Sequence, residues 1–188
     1  MLRPLGAPGV LRPGDRVTGT RLLLTAVLAG HVAGLLVTGS PVRTATVAGL
    51  AAAAAVLDAV DGPVARRSGT ASPAGARFDV EADAAFLAVA SLALVPTVGW
   101  WAAGIGALRY AFVVAGALRP ALRGALRPRR ARRVVAGAQA VAVVLALLPP
   151  TPPDLARGVV AVALAALVVS FGRDVLDLER AARDRVRR

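Results

Sequence analysis

The sequence predicts an all-α integral membrane bundle of six transmembrane helices with a cavity facing the cytoplasm. Three observations carry that expectation. Six apolar runs approach the ~20 residues that a helical span needs. The arginines alternate with those runs. Five of the eleven acidic residues gather between residues 58 and 83, at the facing ends of two consecutive runs. The chain has 188 residues, one domain's worth, taken as a single membrane domain over 1–188. It is 56% hydrophobic yet carries a formal charge of +12. A soluble nucleic-acid binder is basic and polar throughout. Here apolar runs interrupt the basic ones, and aromatic residues for stacking are few, so no nucleic-acid partner is expected. The absence of cysteine excludes disulfides and thiolate chemistry.

Residues 1–21 form a basic lead, expected to lie partly on the inner membrane face. Its proline and glycine content argues against one continuous helix. The first run, 22–38, has the outline of a secretory signal, but five more runs follow, so a retained helix is the better reading. His31, the only histidine, lies mid-run with no second histidine to share a metal and is read as a packing residue. Gly39, Ser40 and Pro41 end this run, and Gly62 and Pro63 end the second, 44–60. The third, 80–98, is interrupted by Pro96 and Gly99. The fourth, 100–118, opens with Trp100 and Trp101, where an outer aromatic belt would lie. A basic loop over 119–133 leads to the fifth run, 134–149. "LPPTPPD" at 148–154 separates it from the sixth, 157–172, and a basic tail over 173–188 follows.

With the N-terminus inside, the inner segments 1–21, 61–79, 119–133 and 173–188 hold twenty arginines. The outer loops hold two, Arg43 and Arg157. This positive-inside bias predicts a multi-pass protein of the cell membrane with both termini in the cytoplasm. Arg109 lies within the fourth run and should face the bundle interior. The basic loop should also meet anionic headgroups of the surrounding membrane lipids, and Arg133, at the start of the fifth run, is the loop arginine placed nearest the site.

Residues three or four apart share a helix face. Asp58 and Asp61 therefore project together at the end of the second run, and Asp79 and Asp83 at the start of the third. Two antiparallel helices then bring four carboxylates face to face. Anions near a membrane require neutralisation, either by arginine or by hard divalent cations. Carboxylate oxygens suit Mg²⁺ or Mn²⁺, and such ions commonly share their coordination with substrate phosphates. Gly62, Ala65 and Gly75 leave room for a ligand to approach the backbone. Arg66 offers a planar fork to a phosphate. Glu81 lies on another face of the helix and is expected to pair with Arg77 or Arg109.

Asp58, two residues, Asp61–Gly62, two residues, Ala65–Arg66, eight residues, Gly75, three residues, Asp79, three residues, Asp83 resembles the signature of the CDP-alcohol phosphatidyltransferase family at all eight fixed positions. "DRVTGTRL" at 15–22 is similar to the family's lead into its first helix. Thr18 and Arg21 match there, and Asp15 stands where the family usually has Asn. The resemblance implies a transferase of phospholipid biosynthesis that moves a phosphatidyl group from CDP-diacylglycerol to an alcohol and releases CMP. It implies that Asp58, Asp61, Asp79 and Asp83 hold two divalent ions, and that Asp83 is also the general base. It implies that Gly62, Ala65, Arg66 and Gly75 line the cytidine diphosphate site, and that the chain forms a homodimer. Thr18 and Arg21 are counted with that site. "RYAFVVAGALR" at 109–119 is similar to the fourth helix of phosphatidylglycerophosphate synthases, although Tyr110 takes the place of the usual Glu. Phosphatidylinositol-phosphate synthases are the other subclass resembled. Arg109 could accordingly grip a phosphorylated acceptor such as glycerol 3-phosphate or inositol phosphate. Three other readings compete: acids merely paired with Arg66, Arg67, Arg77 and Arg109; a membrane prenyltransferase with Asp-rich motifs; and a non-catalytic transporter or scaffold.

Overall fold

A computed structural model of the protein describes residues 13–67, 73–119 and 130–186. The described residues are almost entirely helical and contain no strand. The helices are α1 (Pro13–Val37), α2 (Ala45–Arg67), α3 (Pro73–Ala93), a single turn α4 (Val95–Val98), a 3₁₀ turn (Trp100–Ala103), α5 (Gly104–Leu118), α6 (Arg130–Leu147) and α7 (Pro153–Val186).

The breakers act where their chemistry demands. Gly39 has φ +65°, which suits glycine at the residue after a helix end. Ser40 N–H reaches back to the Leu35 carbonyl at 2.9 Å and Gly39 N–H to Leu36 at 3.3 Å, the paired bonds that close a helix C-terminus. Thr44 starts α2. Its hydroxyl accepts from Val47 N–H at 3.2 Å, as a capping side chain does. Between α3 and α5 the chain turns at Pro96 and at Gly99, whose φ of +118° also favours glycine. A Cβ at Gly99 would stand 3.2 Å from the Trp101 ring nitrogen.

The later part of the lead continues into the first span, because α1 runs from Pro13 to Val37. The earlier part of the lead, residues 1–12, lies outside the described residues, as does the loop over 120–129. His31 is exposed rather than packed inside.

Three segments are long and apolar enough to cross a membrane: Val17–Val37, Trp100–Leu118 and Pro153–Arg183. Ala45–Val60 and Val134–Leu147 are shorter apolar helices. The first half of α3 carries Arg77, Asp79, Glu81 and Asp83, so its continuous apolar stretch begins only at Ala84. At 34 residues, α7 reaches about 51 Å, well beyond a ~30 Å hydrocarbon core.

Large apolar side chains face outward on every side, among them Leu23, Val56, Val113, Val141 and Val162. Such a surface suits lipid and not water. The interior is built largely of small residues: Ala51 and Ala54 of α2, Ala90 and Ala93 of α3, Ala146 of α6 and Ala156 of α7 are fully buried. Small side chains let helices approach closely, and close packing supplies cohesion where lipid removes the hydrophobic drive. Gly106 is the tightest point. A Cβ there would fall 2.4 Å from Ala88 Cα, so glycine lets α5 lie directly against α3. Arg109 follows one turn later on α5.

At the far end of the bundle, Arg43 clamps the α6–α7 turn. Its guanidinium donates to the Leu148 carbonyl at 2.6 Å and to the Thr151 carbonyl. These carbonyls lie just past α6, where a cation meets the negative end of the helix dipole.

Candidate active site

The acidic ends of α2 and α3 meet on α1. Arg21 is 1% exposed, and its two terminal nitrogens bridge the helices. Nη1 donates to the Asp58 carboxylate of α2. Nη2 donates to Asp79 of α3, reaching both the side-chain oxygen and the backbone carbonyl at 2.8 Å. The Asp58 and Asp79 side chains remain 35% and 45% exposed. A buried cation thus sits behind two carboxylates that keep contact with solvent. Thr18, one turn before Arg21, is buried. Thr25, one turn after, donates its hydroxyl to the Arg21 carbonyl at 2.9 Å.

Asp83 belongs to the next turn of α3 and has a second setting. With Val80, Ala84 and Leu87 it lines a cavity of about 260 Å³ between α3, α5, α6 and α7. The spacing explains the split. Asp79 is held by Arg21 of α1, and Val80, Ala84 and Leu87 form the adjoining stripe that walls the cavity. Asp83 lies at the border between the two. Arg109, Gln139, Ser170 and Asp174 supply the cavity's other polar groups. Phe112 and Phe171 close one wall edge to face, with ring centroids 5.3 Å apart. Arg109 pairs with Glu81 at 2.7 Å, so the expected Glu81 partner is found.

The structure therefore brings together Arg21, Asp58 and Asp79, and sets Asp83 and Arg109 at the neighbouring cavity. Gly75 lies in the first turns of α3, partly buried. Asp61, Gly62, Ala65 and Arg66 fall within the last turns of α2, but their side chains lie outside the described residues, as does that of Arg133. Among the described residues, no group of three or more acidic, histidine or cysteine side chains is close enough to hold a metal ion. In donor chemistry the residues do fit Mg²⁺ or Mn²⁺. They are all carboxylates, and Arg21 shows that oxygens of Asp58 and Asp79 lie within reach of one cation.

Sequence reasoning did not single out the Arg21 bridge. Its partners lie 37 and 58 residues away, beyond any helical periodicity. Nor did it single out Ser170 and Asp174. Gln139 has a signal in the sequence: it is the chain's only glutamine and stands mid-run in an apolar helix, a position where a polar residue usually serves a function.

A family model described as CDP-alcohol phosphatidyltransferase matches residues 15–172. Neither a curated protein nor a solved structure matches the chain.

Proposed function

Because the chain belongs to the CDP-alcohol phosphatidyltransferase family, and is thus a membrane-type transferase moving a phosphatidyl group from a CDP-alcohol to a second alcohol, we propose that its donor is CDP-diacylglycerol, its acceptor a phosphorylated polyol, and its leaving group CMP. The acceptor's hydroxyl oxygen attacks the phosphorus that carries diacylglycerol. The bond from that phosphorus to the diphosphate bridging oxygen breaks, and CMP leaves with the bonding electrons. The hydroxyl proton passes to the Asp83 carboxylate, which acts only within hydrogen-bond reach of the hydroxyl.

The observation that supports this most is the division of labour along α3. One turn carries Asp79 at the Arg21 junction, and the next carries Asp83 at the cavity wall. A base at that border stands between a phosphate-binding end and a pocket for the nucleophile. Gly62, Ala65, Arg66 and Gly75 would receive the cytidine diphosphate, with Thr18 and Arg21 behind them on α1. Asp58, Asp61, Asp79 and Asp83 would hold Mg²⁺ or Mn²⁺, which supply polarisation of the phosphate and charge balance for the leaving group. The six-span arrangement, cytoplasmic termini, a cavity open to the cytoplasm, a single domain over the whole chain and a homodimer belong to the same proposal.

The test is an acceptor screen with labelled CDP-diacylglycerol and purified protein. We expect a new phospholipid with glycerol 3-phosphate or inositol 1-phosphate, together with stoichiometric CMP. A screen in which no alcohol yields a lipid product would overturn the reading. Consumption of an isoprenyl diphosphate with pyrophosphate release would instead favour a prenyltransferase.

A further inference from the structure

Gln139 is fully buried near the middle of α6. Its Nε2 donates to the Ala163 carbonyl of α7 at 2.8 Å. That bond fixes the amide orientation, because only the nitrogen can donate to a carbonyl. The side-chain oxygen, Oε1, is then a buried acceptor, and it has no hydrogen-bond partner. Leaving such an atom unpaired is costly anywhere, and a helix crossing hydrocarbon has no water to offset the cost. The bond to Ala163 ties α6 to α7 and accounts for the amide nitrogen, but it leaves the amide oxygen without a role in packing.

The same residue lines the cavity that Asp83 walls. Asp83 on α3 and Gln139 on α6 thus border one cavity from two different helices. Most of the remaining lining is apolar, with Arg109 already paired to Glu81. Asp83 can take the proton of the hydroxyl that reacts. The Gln139 oxygen can only accept a hydrogen bond, so it suits a second donor on the same ligand.

Resting on the transferase reading, we propose that this cavity receives the acceptor alcohol and that Gln139 Oε1 accepts a hydrogen bond from one of its non-reacting hydroxyls. Gln139 thereby makes the enzyme select acceptors with at least two hydroxyl groups. A site built around a buried acceptor rejects an analogue lacking the matching hydroxyl, because the oxygen is then left unpaired.

The experiment uses the full-length protein in detergent and follows CMP release from CDP-diacylglycerol. Whichever of glycerol 3-phosphate and inositol 1-phosphate is active is compared with its deoxy analogues, 3-hydroxypropyl phosphate for the glycerol case and single-position deoxyinositol phosphates for the other. Wild-type protein should lose about tenfold or more in kcat/KM when one hydroxyl is removed. Gln139→Leu should raise the acceptor KM, leave the KM for CDP-diacylglycerol unchanged, and show no remaining preference for that hydroxyl. Wild type that treats every deoxy analogue like its parent overturns the proposal without any variant. So does a Gln139→Leu protein that keeps the full preference. Absence of CMP release with every acceptor would instead count against the transferase reading itself.

Discussion

Removing the Arg21 guanidinium would take away the buried cation that bridges Asp58 and Asp79. Breaking a buried pair by removing one partner is costly, but both carboxylates keep solvent contact, which moderates the loss. We expect Arg21→Gln to destabilise the protein by about 2 kcal/mol in EDTA. Mg²⁺ should recover more thermal stability in this variant than in wild type, since the ion then meets two carboxylates released from Arg21. Thermal unfolding in detergent with and without Mg²⁺ checks this. A loss no larger than that of the exposed-pair control Arg157→Gln would contradict it.

The residue scale is also where the sequence was least legible. The four aspartates could be read from their spacing, because each pair lies on one helix. The Arg21 bridge could not, because it depends on how three helices pack. The Glu81–Arg109 pair was anticipated because it needs only two neighbouring spans. Asp79 and Asp83 share a face in sequence, yet a helix face is wide enough for its two edges to meet different neighbours. The spacing therefore suggested one acidic cluster, while the described side chains form a bridged pair and a separate cavity wall.

Among the elements, the α3–α5 contact sets the cavity's width. Gly106 has backbone of α3 where a Cβ would go, and overpacking a close contact costs about 1–3 kcal/mol. Gly106→Ala should therefore lower the unfolding temperature and move Arg109 away from Glu81. Gly116→Ala is the control on the same helix, because nothing lies within 4 Å of its Cβ position. That change should be neutral or slightly stabilising, as alanine favours helix. Equal stability for the two variants, read by thermal unfolding, would count against the close approach. Element boundaries were legible where Gly39, Gly99 and the prolines of 148–154 impose turns. The extension of α1 back to Pro13 was not, because the apolar run begins only at residue 22.

For the molecule as a whole, the apolar runs made an all-helical, membrane-type bundle readable, since lipid imposes span length directly. The arginine bias carries the proposal that its acidic, arginine-rich end lies at the inner membrane face. Lacking cysteine, the chain allows the orientation to be read from single-cysteine variants. An impermeant thiol reagent applied to intact cells should label Ser40→Cys, and should label Ala182→Cys only after permeabilisation. The opposite pattern would place the carboxylates on the wrong side for a cytoplasmic acceptor.

The most direct measurement is CMP release from CDP-diacylglycerol by purified protein, with its active acceptor, for wild type and Asp83→Asn. The account predicts release by wild type with Mg²⁺ or Mn²⁺, none in EDTA, and a loss of at least about a hundredfold in the variant, which should stay folded. Release that survives EDTA, or an Asp83→Asn protein as active as wild type, would contradict it.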